Sequence, residues 1–148
     1  MHHLEMHIAS SCKGNPGPGG YGVILEFKGQ SKELSEGFKL TTNNRMEMMG
    51  AIAGLKTIKR PCEVTIYSNS KYLVDAITLG WAAKWQANNW KRNKKDKATN
   101  TDLWEQLLDL CDSHTVTLKW VEEQNKRCVQ LAKSSAEKDT VKKDEGYK

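Results

Sequence analysis

Thr41-Thr42-Asn43-Asn44-Arg45-Met46-Glu47-Met48-Met49 is the stretch whose reading decides the fold. Threonine and asparagine oxygens accept hydrogen bonds from the free N–H groups of a helix start, and four such residues stand here before a run of helical periodicity. Met46, Met49, Ile52, Ala53 and Leu55 fall on one face, so an amphipathic helix is expected over 43–59, ending before Pro61. Its first turn carries a carboxylate, Glu47. Asn44-x-x-Glu47 fits the spacing of a capping box, which would make Glu47 a purely structural residue. The surrounding chain weighs against that reading alone.

Toward the N-terminus, residues 4–11 alternate as a strand with Met6 and Ile8 on one face, then run into Cys12-Lys13-Gly14-Asn15-Pro16-Gly17-Pro18-Gly19-Gly20, dense in turn-forming residues. Strands are expected over 21–27 and 33–40, joined by the short loop Lys28-Gly29-Gln30. Beyond the helix, 62–67 is a β-branched buried strand and 71–79 a short helix. A third helix is expected over 102–110, with Leu103, Trp104, Leu107 and Leu108 inward, followed by a strand over 115–121. The final helix spans 122–138 and carries Cys128, Leu131 and Ala132. The order βββαβααβα implies a mixed sheet with helices packed on it, so the class is α/β.

The 148 residues suit one domain with a core large enough to need neither disulfide nor metal. A chain 38% hydrophobic and 28% charged is ordinary for a soluble globular protein, which excludes wholesale disorder. No apolar run approaches a membrane span and no signal peptide precedes the first strand, so a cytoplasmic protein without membrane partners is expected. Cys12, Cys62, Cys111 and Cys128 form no C-x-x-C pair and read as reduced thiols rather than a zinc site. The net charge of +5 points to a polyanion only where lysines cluster. They do so once: Lys84, Lys91, Arg92, Lys94, Lys95 and Lys97 stand against a single acid, Asp96.

Three motifs, Cys12-x-Gly14-Asn15-Pro16-Gly17-Pro18-Gly19-Gly20-Tyr21-Gly22, Thr41 to Glu47, and Asp102-Leu103-Trp104, together resemble bacterial ribonuclease H of type 1, in order over residues 4–138. The resemblance implies a five-stranded mixed sheet in order 3-2-1-4-5, flanked by helices, with the Glu47 helix packed across it. The ribonuclease H-like domain then covers 1–138, with a basic protrusion over 81–97 and a charged, frayed tail over 139–148.

The family hydrolyses the RNA strand of an RNA/DNA hybrid, with four carboxylates holding two Mg²⁺ about 4 Å apart. Magnesium demands hard oxygen ligands and charge to offset its own. Carried over residue by residue, Glu47 keeps one acid. The other three positions read Ala9, Asn69 and Val129. The family's Lys-Gly-His loop is shortened here to Glu122-Glu123-Gln124-Asn125-Lys126, and its histidine is gone; His114 reads as an ordinary surface residue. One carboxylate facing an amide cannot hold two divalent cations, and Glu122, Glu123 or Asp75 would have to converge within tenths of an ångström to substitute. The expected state is therefore catalytically inactive and needs no cofactor, with Mg²⁺ or Mn²⁺ required only if the family activity persists.

Binding sits on other residues. The resemblance places Cys12, Asn15, Asn43 and Asn44 against the minor groove of the hybrid, where 2′-hydroxyls distinguish RNA from DNA. Asn43 and Asn44 could equally cap the helix. Thr42 and Asn100 match positions that grip a DNA phosphate. Trp81 and Trp85 can pack on deoxyribose beside the six basic residues, whereas Trp90 and Trp104 read as core anchors. Lys71 and Asp75 stand where the family often has glutamines. The leading reading is a monomeric, inactive ribonuclease H-like protein that binds RNA/DNA hybrid or duplex nucleic acid. The alternatives are an active endonuclease with rearranged ligands and a protein-interaction scaffold.

Overall fold

The computed structural model describes residues 2–91, 98–138 and 142–147. Its elements run β1 (His3–Cys12), β2 (Gly17–Phe27), β3 (Gln30–Thr41), α1 (Asn43–Lys56), β4 (Glu63–Ser68), α2 (Lys71–Thr78), α3 (Trp81–Ala87), α4 (Thr101–Ser113), β5 (Thr115–Trp120) and α5 (Lys126–Lys138). The five strands form one sheet in the order β3-β2-β1-β4-β5. β1 pairs antiparallel with β2 and β2 with β3, while β4 runs parallel to both β1 and β5. The α/β class and the strand order expected from the sequence both hold.

Alternation along β1 separates two layers. Met6 and Ile8 point to the α1 face, where they join Val23, Met46, Leu55, Ile66 and Trp104 in the main core. Ala9 points to the opposite face, where it packs with Ile24, Cys128 and Ala132 beneath α5. Both helices approach the sheet closely because glycines face them. A Cβ on Gly22 would lie 2.3 Å from the Cys128 carbonyl oxygen, and one on Gly54 would lie 2.6 Å from the Met6 methyl. Bare backbone at these two points fixes how deep α5 and α1 sit.

Several local expectations change. Thr42 caps α1, its Oγ1 accepting from the Arg45 N–H at 3.3 Å. The capping box is therefore not formed: Glu47 turns inward and is 1% exposed. The glycine-rich turn is shorter than its composition suggests, because Gly17 to Gly20 already pair as strand, Gly17 and Gly19 with β3 and Gly19 and Gly20 with β1. An additional helix, α3, follows Gly80, whose φ of 77° ends α2. α5 starts at Lys126 rather than at Glu122, since Asn125 Oδ1 accepts from the Cys128 N–H at 3.1 Å and caps it there.

The charged tail is corrected for its described part. Asp144 is 4% exposed, and Arg45 Nε donates to its Oδ2 at 2.7 Å while Thr41 Oγ1 donates to the same oxygen at 2.7 Å. Residues 142–147 are thus tied to the start of α1, not frayed. The Lys39 N–H donates to the Lys142 carbonyl at 2.8 Å, and Lys142 also pairs with Glu36. The sequence signal was weak because a lone aspartate among lysines carries no periodicity. Among the described residues, no helix is long and apolar enough to cross a membrane.

Candidate active-site cleft

Glu47 reaches the sheet because it lies one turn before Gly50 and two before Gly54, on the side of α1 that presses against β1 and β2. Its Oε1 accepts from Ser68 Oγ at 2.6 Å, and the Ser68 Oγ itself accepts from the Ser70 N–H at 3.1 Å. Ser10 lies beside the carboxyl from β1, and Oε2 has no hydrogen-bond partner among the described residues. Burial pushes the Glu47 carboxyl above the ordinary carboxylate range, against the opposing pull of the Ser68 and Ser10 hydroxyls. Sequence reasoning missed both serines. Their signal was present, since Ser10 follows Ala9 in the strand and Ser68 precedes Asn69.

Glu47 forms the floor of a cleft of about 400 Å³ lined by Ser10, Asn43, Asn44, Asn69, Ser70, Lys71, Tyr72 and Gln124. Asn69 sits just past β4 with its Oδ1 accepting from Gln124 Nε2 at 3.1 Å and its backbone carbonyl accepting from Trp120 Nε1 at 3.0 Å. Lys71 lies over the Trp120 ring, Nζ 4.8 Å from the centroid, and brings a positive charge to the same cleft. The lining is thus mostly donor groups around one buried carboxyl.

The structure separates the four positions at which the resemblance expects acids. Glu47 and Asn69 share the cleft. Ala9 is 0% exposed on the other face of the sheet, and Val129 packs beside it against the small cluster under α5. Hydrocarbon fills both places.

Of the residues expected to face a groove, Asn15, Asn43 and Asn44 meet at the start of α1. Asn43 and Asn44 are exposed and line the cleft, and neither caps the helix. Asn15 Oδ1 accepts from the Asn43 N–H at 3.0 Å, which ties the glycine-rich turn to α1. The Cys12 thiol donates to the Thr41 carbonyl at 3.4 Å and braces the base of the same turn; burial raises its pKa, so it remains a neutral thiol. Asn100, at φ 59°, uses both ends of its amide: Nδ2 donates to the Tyr72 hydroxyl at 3.3 Å, and Oδ1 accepts from Arg45 Nη1 at 3.2 Å. His114 is no idle surface residue, because its Nδ1 accepts from the Cys62 N–H at 3.1 Å.

In the basic segment that starts with α3, Trp81 is 41% exposed, and Lys84 and Lys91 are exposed. Trp85 is half-buried, its ring edge-on to Trp104 with centroids 6.1 Å apart, so it anchors α3 to the core as well as facing outward. Trp104 is a core residue, 0% exposed, with its Nε1 donating to Tyr72 at 2.9 Å. Arg92, Lys94, Lys95 and Lys97 lie outside the described residues.

A five-stranded mixed sheet of this order, with a helix-borne carboxyl at the open end of its central strands, defines a ribonuclease H fold. Residues 1–137 match the family model described as RNase H, and the chain belongs to that family. It is 54% identical to a ribonuclease H of Syntrophus aciditrophicus, over 96% of this chain and 85% of the relative. It is also 54% identical to a ribonuclease H of Rippkaea orientalis, over 96% and 90%. LC9-RNase H1, described as a type 1 RNase H with the type 2 active-site motif, superposes with a TM-score of 0.83 at 28% identity, over 95% of this chain and 74% of that one. LC11-RNase H1, solved in complex with RNA/DNA hybrid, shares the fold at a TM-score of 0.68 and 20% identity, over 91% and 97%.

Proposed function

We propose that this chain binds RNA/DNA hybrids and does not cleave them by a two-metal route. The observation that carries the reading is the donor set. Two Mg²⁺ need several charged oxygens converging on one point, and this cleft offers one buried carboxyl whose burial favours its neutral form. The residues present do not fit the pair of ions that the family generally uses. The Ala9 and Val129 side chains contribute no ligand atom, and the Asn69 amide offers an oxygen without charge.

Support for binding comes from the same surface. Asn43 and Asn44 flank a cleft presenting Lys71 and the Asn69 amide, a lining suited to sugar hydroxyls and phosphate oxygens. Trp81 with Lys84 and Lys91 offers a stacking face beside positive charge. Thr42 and Asn100 are preorganised by their bonds to Arg45, as a phosphate grip would require. The rival reading, cleavage with rearranged ligands, is favoured by relatives at 54% identity that carry the name ribonuclease H.

Charge reversal at Lys94 and Lys95 tests the binding half. Fluorescence anisotropy with a labelled hybrid should show affinity falling at least tenfold in Lys94→Glu/Lys95→Glu. The salt dependence should also flatten, because each phosphate contact contributes about −0.9 to the slope of log K against log salt. An unchanged affinity would leave the protein-interaction scaffold as the better account.

A further inference from the structure

Away from the cleft, on the α5 face of the sheet, β1 and β2 bring Glu5, His7 and Glu26 together. Glu5 pairs directly with Glu26 across the two strands, and His7 follows Glu5 by two residues on the same face. One ligand atom from each lies within 4.8 Å of the other two. We propose that Glu5, His7 and Glu26 form a binding site for a divalent transition metal, zinc in the first instance.

Like charges directly opposite one another on a sheet repel, and here two carboxylates face each other with only an imidazole between them. A cation removes that repulsion. The spacing suits one: bonds of about 2.0–2.1 Å in tetrahedral zinc set neighbouring ligand atoms roughly 3.3 Å apart. His7 Nε2 and Glu26 Oε1 already stand 3.0 Å apart.

The ligands are also held. The His7 ring stacks on Tyr67 with centroids 4.9 Å apart and planes inclined by 13°, and the Tyr67 hydroxyl bonds Glu5. Partners behind the donor atoms restrict their rotation, as supporting groups do in metal sites generally. His7 and Tyr67 also line a cavity of about 290 Å³ with Glu123, Gln124 and Asn125, which leaves room for water on the metal. An imidazole with two carboxylates favours zinc, manganese or iron over magnesium, which takes oxygen ligands almost exclusively. Glu5, His7 and Glu26 do not line the Glu47 cleft, although Gln124 borders both cavities.

The test is calorimetric titration of the chelator-treated full chain with zinc chloride. Parallel titrations use His7→Ala, Glu26→Gln and, as a control for the exposed N-terminal histidines, His2→Ala/His3→Ala. Cobalt absorption gives a second readout of coordination. One zinc per chain is expected, weakened at least tenfold by either His7→Ala or Glu26→Gln and unchanged in the control. Circular dichroism confirms that the variants fold. Absence of binding would overturn the proposal, as would retention in both single variants or loss confined to the control. In those cases the His7–Glu26 pair is an ordinary ion pair.

Discussion

Glu47 carries the argument at the scale of a single residue. A carboxyl whose pKa is raised by burial is stabilising in its protonated form, so its contribution is full below the unfolded value of 4.5 and is lost as pH rises through the higher folded value. Replacing it with the neutral isostere should remove that slope. Thermal melts of Glu47→Gln against the parent should therefore coincide near pH 4, with the variant becoming the more stable as pH rises toward 8. A variant less stable than the parent at pH 8 would mean that the carboxylate is held ionised there by a partner the cleft does not show. The residue itself was legible in the sequence, because a carboxylate at the start of a periodic helix stands out. Its role was not. Capping spacing and inward spacing are the same along the chain, and only the approach of α1 to the sheet at Gly50 and Gly54 selects between them.

The elements were largely readable, and their ends were not. Alternation in β1 and the apolar face of α1 place both correctly, since period-2 and period-3.6 patterns are local properties. The start of β2 depends on a partner distant in sequence, Gly17 on Thr41, and that of α5 on the single cap Asn125, so the composition of the surrounding stretch misplaces them. The C-terminal segment is the largest such case. Arg45 and Asp144 are both 2% exposed at the side chain, and Arg45 is shared with Asp102, whose own pKa stays low because the Arg45 bonds outweigh its partial burial. Removing one member of a buried pair strands the other charge. Asp144→Asn should therefore cost about 3 kcal/mol, somewhat eased by the remaining Asp102. Urea unfolding should show a lower midpoint with an unchanged m-value. A change below ~0.5 kcal/mol, the size of an ordinary surface substitution, would show that the segment does not anchor α1.

Across the whole molecule, the framework is that of the family, and the proposed loss of cleavage rests on three residues. Strand order, the packing of α1 and α5 and the exposed asparagines at the mouth of the cleft form a ribonuclease H framework, whereas three positions at which the resemblance expects acids are Ala9, Asn69 and Val129. The sequence shows which residues stand at those positions but not their surroundings, a small cluster between the sheet and α5 that holds Ala9 and against which Val129 packs. If the missing charge alone silences the cleft, Ala9→Asp/Asn69→Asp/Val129→Asp should gain metal-dependent cleavage and melt higher with Mg²⁺ than without, a gain the parent lacks. Failure of both would place the defect elsewhere, first in the segment before α5 where the resemblance expects a histidine. The most direct test of the central claim is an end-labelled RNA/DNA hybrid incubated with the parent chain and Mg²⁺ or Mn²⁺, then run on native and denaturing gels. The account predicts a shifted band on the first and full-length RNA on the second. Metal-dependent fragments on the denaturing gel would contradict it.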